Sequence, residues 1–188
     1  MTKNNLPPVD FLRKILRYDA ETGTLYWRER PEDTFRSGTQ SAEHISKRWN
    51  KKCAGTPAGT IYKTGYVRVQ WRAMGVKSYL AAHRVAWVIH HGRIPACEID
   101  HINGDRADNR ISNLREVTRV QNNRNKKKRK DNTSGATGIY LTPNGKFRAI
   151  MRSGGVNINL GTFSNKFDAI LVRLLTEKKY EYTMRHGM

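Results

Sequence analysis

The sequence predicts an α+β protein in which short antiparallel strands and a few helices form two domains on either side of a basic tether. Apolar and polar residues alternate over short runs bounded by glycine, proline and asparagine, which is typical of half-buried strands. A run of consecutive lysines and arginines followed by small polar residues separates two groups of such runs. A hydrophobic share of 37% over 188 residues supports a real but modest core.

The N-terminal residues predict a helix followed by a hairpin. Leu12 and Leu16 have helical spacing, so a short amphipathic helix should end near Tyr18. A turn over residues 19–23 and a strand over residues 24–27 follow. We interpret this segment as a packing hairpin without a chemical role.

Residues 30–58 lack periodicity and contain several glycines and prolines, which predicts a long loop. Lysines and arginines flank Trp49 in this loop. Two interpretations remain open: the loop lies along DNA with Trp49 stacked on a base, or Trp49 anchors the loop to the core.

The next segment predicts a hairpin over residues 60–71, a strand over 76–80 and a helix over 81–90. We expect this helix to pack behind the hairpin that follows it. His83 lies on its mostly apolar part, where a histidine is more often a core residue that bonds a carbonyl. A supporting contact to a nearby site or to a phosphate stays open for His83, and Arg84 is a candidate phosphate partner.

Residues 98–125 have a composition that folding alone does not explain. A strand ends in Asp100 and His101, a turn and a second strand follow, and a Thr-x-x-Gln capping box begins a short helix that carries Asn122. The Asp100 carboxylate and the Asn122 amide oxygen are hard ligands suited to Mg²⁺ or Mn²⁺. His101 can take a proton from a water that attacks a phosphodiester. Because neighbouring strand residues point to opposite faces, we expect the strand to be irregular or to end at this point.

This segment resembles the HNH endonucleases of the type found in phage and intron-encoded homing enzymes. The residues that carry the resemblance are Asp100-His101-Ile102-Asn103-Gly104, Asp108-Asn109-Arg110, Ser112-Asn113-Leu114 and Gln121-Asn122. It implies a ββα-metal fold in which His101 is the general base and Asp100 and Asn122 are the metal ligands. It also implies that Asn113 holds the hairpin loop in shape, with Asn109 as the alternative. Asn122 stands where many relatives have histidine, which favours a magnesium-using branch over a tight zinc site.

The charge balance favours a polyanionic partner. Lys+Arg 35 against Asp+Glu 16 gives a formal net charge of +19. A membrane surface is disfavoured as the partner, because no basic helix with a wide apolar face stands out in the sequence. We expect the basic run to contact phosphates; it consists of Lys126, Lys127, Lys128, Arg129 and Lys130.

Cys53 and Cys97 are far apart in the chain and we expect both to be reduced. With no signal segment and no apolar run near membrane length, the expected location is the cytoplasm of a bacterial or phage-infected cell.

The C-terminal residues predict three strands and a helix. The strands are expected at 138–141, 146–152 and 156–163. Ser164 or Asn165 can cap the helix. Its expected buried stripe consists of Phe167, Ile170, Leu171, Leu174 and Leu175. Arg148 and Arg152 then face outward on the other side of the sheet.

This module resembles the APETALA2-type DNA-binding domain, through Gly-Lys-Phe-Arg-Ala-Ile on the second strand and Leu-Gly-Thr-Phe before the helix. The resemblance implies a set of DNA-facing positions. They are Tyr140, Thr142, Asn144, Arg148, Ile150, Arg152, Asn157 and Asn159. This chain carries fewer arginines and tryptophans at these positions than the plant members do.

These features predict a metal-dependent HNH homing-type DNA endonuclease. Residues 1–125 form a scaffold and nuclease domain with its motif at 98–125, residues 126–136 form a basic linker, and residues 137–188 form an APETALA2-like domain. The expected cofactor is Mg²⁺ or Mn²⁺ without an organic cofactor, and the expected partner is double-stranded DNA, bound by a monomer or weak dimer. The alternative is a DNA-binding regulator with an inactive nuclease motif, and an RNA-binding protein is weaker because the aromatics are scattered.

Overall fold

The computed structural model describes residues 6–36, 38–73, 76–124, 132, 134–180 and 182, with the backbone alone for 72, 73, 76–78 and 124. The chain divides into two compact units, residues 1–116 and 117–188. None of the helices in the described ranges combines the length and apolar character that a membrane crossing needs.

The first unit combines helices with small antiparallel sheets. Its helices are α1 (Val9–Ile15), α2 (Ala42–Cys53) and α3 (Ala82–His91), with 3₁₀ turns at Glu32–Thr34 and Ile111–Asn113. Its strands are β1 (Leu16–Tyr18), β2 (Leu25–Trp27), β3 (Thr60–Ile61), β4 (Val67–Ala73), β5 (Val76–Ala81), β6 (Glu98–His101) and β7 (Leu114–Val117), the last of which ends at the division between the units. β1 pairs with β2, β4 lies between β3 and β5, and β6 pairs with β7.

Helix α3 joins the two parts of the core in this unit. One side packs with α1 and β4 through Leu12, Val69 and Val85. Further along, Trp87 packs against Ile99 and its neighbours on the β6–β7 hairpin. The predicted position of this helix behind the hairpin is therefore confirmed.

The first helix ends earlier than predicted. α1 stops at Ile15, and Leu16–Tyr18 instead forms a strand that pairs with Leu25–Trp27. The apolar spacing fits either a helix that continues to Tyr18 or the observed strand, because Leu12, Ile15 and Leu16 are all buried in the same core. Strand pairing therefore decides the boundary.

The predicted loop over residues 30–58 is wrong for its middle part, which is helix α2. Ser41 begins the helix by accepting a hydrogen bond from the His44 amide at 3.2 Å. Trp49 packs edge-on against Trp27, with ring centroids 5.3 Å apart, so it anchors the segment to the first unit. The sequence pattern did not predict this helix, because few apolar residues lie on its inner face.

The second unit contains α4 (Arg119–Arg124), β8 (Ile139–Leu141), β9 (Phe147–Ser153), β10 (Val156–Phe163) and α5 (Lys166–Lys179). The three strands form an antiparallel meander with β9 in the centre, as predicted. Asn165 caps α5 by accepting a hydrogen bond from the Phe167 amide at 2.8 Å.

The predicted buried stripe of α5 is wrong for four of its five residues, and Ile170 alone of the five packs against the sheet. Phe167 is 67% exposed and Leu175 is 61% exposed, and Leu171 and Leu174 are exposed as well. The helix instead turns Ala169 towards the sheet, where it packs in one buried cluster with Ile139 and Ala149. Its long buried residues are polar: they are Arg173, which donates to the carbonyl of Ile150, and Glu177, 2.7 Å from Arg173. The small Ala169 side chain and this satisfied ion pair decide the orientation over the leucine pattern.

Candidate functional site

Strand β6 carries Asp100 and His101 at its end. Ile99 and His101 are buried, whereas Asp100 and Glu98 are half-buried, so the strand alternates regularly up to its last residue. The strand ends at His101, as expected, and a turn follows. Asp100 and His101 nevertheless both lie within its regular part and alternate in burial.

The His101 ring is held by Asn109 and packed against two other rings. Its Nε2 lies 3.1 Å from Oδ1 of Asn109, and both residues are buried. The His83 ring lies edge-on with its centroid 5.0 Å from that of His101, and the Tyr66 ring is 5.9 Å away. Because an amide oxygen only accepts hydrogen bonds, this contact fixes the proton of the neutral ring on Nε2.

His83 is a buried neutral histidine. Burial, followed by the nearby His101 and Arg84, lowers its pKa from 6.5 to about 3. The predicted core position is confirmed, but His83 forms no hydrogen bond to a carbonyl within the described residues, where its Nδ1 has no partner. Ring packing against His101 takes the place of that bond. Arg84, the candidate phosphate partner beside it, is half-buried on α3.

The Asp100 carboxylate forms an ion pair with Arg115 on the neighbouring strand. The guanidinium Nη2 lies 2.9 Å from Oδ2, and the Asp100 side chain is 12% exposed. Within the described ranges, no group of three or more histidine, cysteine, aspartate or glutamate residues is arranged to hold a metal ion. The Asp100 carboxylate offers hard oxygen donors, the type that Mg²⁺ binds while it keeps several waters.

Asn113 bridges the loop between β6 and β7. Its Nδ2 donates to the carbonyl of Asp108 at 2.8 Å, and its Oδ1 accepts from the amide of Asn103 at 2.9 Å. Asp108 is held in turn by Arg110, whose hydrogen bonds lower the Asp108 pKa to about 2. The two asparagines thus have different contacts, since Asn113 bonds the loop backbone and Asn109 bonds the His101 ring.

The hairpin of β1 and β2 supports this loop, which the sequence analysis missed. The Tyr18 hydroxyl donates to the carbonyl of Asn109 at 2.7 Å, and burial raises the Tyr18 pKa to about 12, so it stays protonated. The amide of Ile111 donates to the carbonyl of Ala20 at 3.1 Å. Gly23 has φ +74, and a Cβ there would lie 2.4 Å from the amide nitrogen of Arg110. The Asp-x-x-Thr-Gly turn was the available signal, because a glycine can mark close backbone approach.

Asn122 lies on α4, in the second unit, and is half-buried. The capping box that begins this helix is confirmed, because the Gln121 side chain accepts from the Thr118 amide at 2.9 Å and Thr118 Oγ1 accepts from the Gln121 amide at 3.3 Å. The predicted phosphate-contacting run lies outside the described residues; it comprises Lys126, Lys127, Lys128, Arg129 and Lys130.

The second unit presents one face of its sheet to solvent. Ala149 and Met151 are buried, whereas Arg148 before them and Arg152 after them are exposed, so the predicted alternation of β9 is confirmed. Directly opposed residues of antiparallel strands share a face. The opposed pairs on this face are Tyr140 with Arg148, Asn159 with Ile150, and Asn157 with Arg152.

Comparisons with known proteins concern part of the chain. A family model described as HNH endonuclease matches residues 80–124. A similar solved structure is described as "DNA binding and cleavage by the HNH homing endonuclease I-HmuI", with 22% sequence identity and a TM-score of 0.39 over 60% of this chain and 51% of that chain. This chain therefore spans about half the length of that one. Comparison with curated proteins gave no match. Residues 80–124 thus match the HNH endonuclease family, and this segment carries Asp100, His101, Asn109, Asn113 and Asn122.

Proposed function

We propose that this chain is a metal-dependent DNA endonuclease of the HNH homing type, which hydrolyses a phosphodiester bond with water activated by His101. The contact between His101 Nε2 and Asn109 Oδ1 carries this proposal, because it lies within a segment that matches the HNH endonuclease family. A histidine held in one tautomer is what a general base requires.

His101 acts through the nitrogen that Asn109 does not bind. With the proton on Nε2, the lone pair of the neutral ring is on Nδ1, which accepts a proton from the attacking water. The His83 ring beside it stays neutral at physiological pH, so it orients the base without adding a repelling charge. The bridge made by Asn113 keeps the loop, and with it Asn109, in place.

Asp100 and Asn122 are the proposed oxygen ligands of the metal ion, as the resemblance implies. A bound divalent cation supplies positive charge that stabilises the phosphate and the leaving 3′ oxygen. Arg115 orients the Asp100 carboxylate through two hydrogen bonds to one oxygen, Oδ2. The expected products carry a 5′-phosphate and a 3′-hydroxyl, as the resemblance also implies.

Residues 137–188 are the proposed DNA-reading part, with an APETALA2-like role. The solvent-facing side of their sheet carries Arg148 and Arg152 beside polar side chains that can contact a DNA groove. The proposed contacts are Tyr140, Arg148, Arg152, Asn157 and Asn159. A formal net charge of +19 favours double-stranded DNA as the partner.

One observation favours a second candidate, a DNA-binding regulator with an inactive nuclease motif. The Asp100 carboxylate is already engaged by the Arg115 guanidinium, which competes with any cation for the same oxygen. Such a protein would bind DNA tightly and show no dependence on Mg²⁺.

Incubation with supercoiled plasmid separates the two candidates. The nuclease is expected to give open-circle or linear DNA with Mg²⁺ or Mn²⁺ and to give none with EDTA. His101→Ala should keep DNA binding and lose cleavage by at least about 100-fold, since general-base assistance is worth that much. His90→Ala, at an exposed histidine of α3, is the matched control and should cleave normally. Binding without cleavage by the unaltered protein would support the regulator, and a preference for RNA would contradict both.

A further inference from the structure

Helix α2 has a cationic face that lies outside the matched nuclease segment. Its exposed basic residues recur every three or four positions and are His44, Lys47, Arg48, Lys51 and Lys52. The acidic residue in its first turn, Glu43, pairs with Lys47 at 2.7 Å. Among the described residues, Arg48, Lys51 and Lys52 form no ion pair. Three uncompensated cations therefore project from one side of a regular helix.

The opposite side of α2 is fixed to the first unit. Asn50 accepts a hydrogen bond from the Arg30 amide at 2.9 Å and donates to the Arg30 carbonyl at 3.1 Å. Ser46 donates to that same carbonyl at 2.7 Å. The Arg30 guanidinium lies 4.9 Å from the centre of the Trp49 ring. The helix is thus held in one orientation, with its cations directed away from the core.

The β1–β2 hairpin connects α2 to the loop beside His101. At the open end of the hairpin, Trp27 packs against Trp49 of α2. At its closed end, Ala20 accepts a hydrogen bond from the Ile111 amide. A three-residue strand spans about 10 Å at 3.3 Å per residue, which equals the rise of about three nucleotides of DNA. The two ends of this short hairpin therefore bring α2 and the loop that carries Asn109 within the span of a few base pairs.

We propose that the exposed face of α2, formed by Arg48, Lys51 and Lys52, is a DNA-contact surface that binds backbone phosphates without reading sequence. The inference rests on the proposed function, because it takes duplex DNA as the occupant of the neighbouring site. Charge complementarity selects this occupant. A lipid surface fits poorly, because Trp49 packs against Trp27, Ile45 is half-buried and the exposed side lacks an apolar stripe.

The test compares two lysine pairs in equivalent positions. Lys51→Gln/Lys52→Gln removes two charges from the last turn of α2, and Lys178→Gln/Lys179→Gln removes two from the last turn of α5. The affinity of the full chain for a duplex is measured over a range of salt concentrations. The first variant should reduce the slope of log affinity against log salt by about 1.8, since each phosphate contact contributes about 0.9. The α5 variant should keep the slope of the unaltered protein.

Two further measurements keep the outcomes distinct. Unchanged tryptophan fluorescence of the α2 variant would show that Trp49 remains packed, and equal losses on two unrelated duplexes would show that the contact is independent of sequence. An unchanged slope, or an equal loss in both variants, would overturn the proposal while plasmid cleavage could still occur. A reduced slope in a protein that never cleaves plasmid would support the α2 surface and reject the nuclease.

Discussion

Arg115 donates two hydrogen bonds to a single oxygen of Asp100, from Nη2 at 2.9 Å and from Nε at 3.2 Å. Both side chains lie on the paired strands that flank the loop of the candidate site. A cation bound by Asp100 would meet the positive charge of Arg115 at close range. The ion pair therefore sets the electrostatic environment of the proposed metal ligand.

Arg115→Gln should lower the Mg²⁺ concentration that gives half-maximal cleavage by several-fold, because it removes a like charge beside the cation while glutamine can still donate to Asp100. A Mg²⁺ titration of plasmid cleavage measures this. Arg93→Gln is the matched control, since Arg93 pairs with Glu116 on the same strand at 2.6 Å and does not bond Asp100. A higher Mg²⁺ requirement for Arg115→Gln would contradict the prediction.

Asn109→Ala should lower kcat by about 10- to 100-fold with little change in DNA affinity, as expected when a group that orients a functional side chain is lost. Asn109→Asp keeps an oxygen that accepts from His101 Nε2 and should recover part of kcat. Steady-state cleavage kinetics measure this effect. Equal kcat for the alanine and aspartate variants of Asn109 would exclude the orienting contact.

Asn113→Ala should mainly destabilise the fold, by about 1–3 kcal/mol, because it leaves loop groups unbonded. Urea unfolding measures this effect.

Gly23→Ala should destabilise the first unit more than Gly55→Ala. Both glycines have positive φ, +74 and +79, so alanine is strained by about 1–2 kcal/mol at either position. A Cβ at Gly23 would also lie 2.5 Å from the carbonyl carbon of Asn109, whereas nothing lies within 4 Å at Gly55. All 4 tryptophans precede residue 117, so fluorescence during urea unfolding reports on this unit. Similar losses for both variants would argue against tight contact between the hairpin and the loop.

His83 should make the first unit less stable as the pH falls from 6.5 towards 3. The folded state keeps the ring neutral down to a pKa of about 3, whereas the unfolded chain takes up a proton near 6.5. Unfolding therefore binds one extra proton in this window, and the free energy of unfolding falls by about 1.4 kcal/mol per pH unit. His83→Phe should remove this contribution, which is separate from that of the carboxylates between pH 6.5 and about 5, and the exposed His90→Phe should retain it. Tryptophan-detected urea unfolding at several pH values provides the comparison, and identical slopes for both variants would reject the neutral buried ring.

Local patterns in the sequence were sufficient for most elements with strong periodicity. The alternation over residues 60–71 predicted the β3–β4 hairpin, and Thr118 and Gln121 predicted the start of α4. These elements depend on nearest-neighbour hydrogen bonds and on which face is apolar, and both are written in the order of residues. Helix α2 lacked such a pattern, since it is stabilised by Trp49 and Asn50 contacting residues about 20 positions away.

By itself, the sequence determined which groups are available for chemistry: an acidic oxygen, an imidazole and carboxamides in a fixed order, on a strongly basic chain. Only the tertiary structure decided what each group touches. It assigned Asn109 to His101, Arg115 to Asp100 and the leucine-rich side of α5 to solvent. Side-chain partners and buried faces depend on the packing of distant segments, where a close backbone approach or a satisfied ion pair outweighs the local pattern.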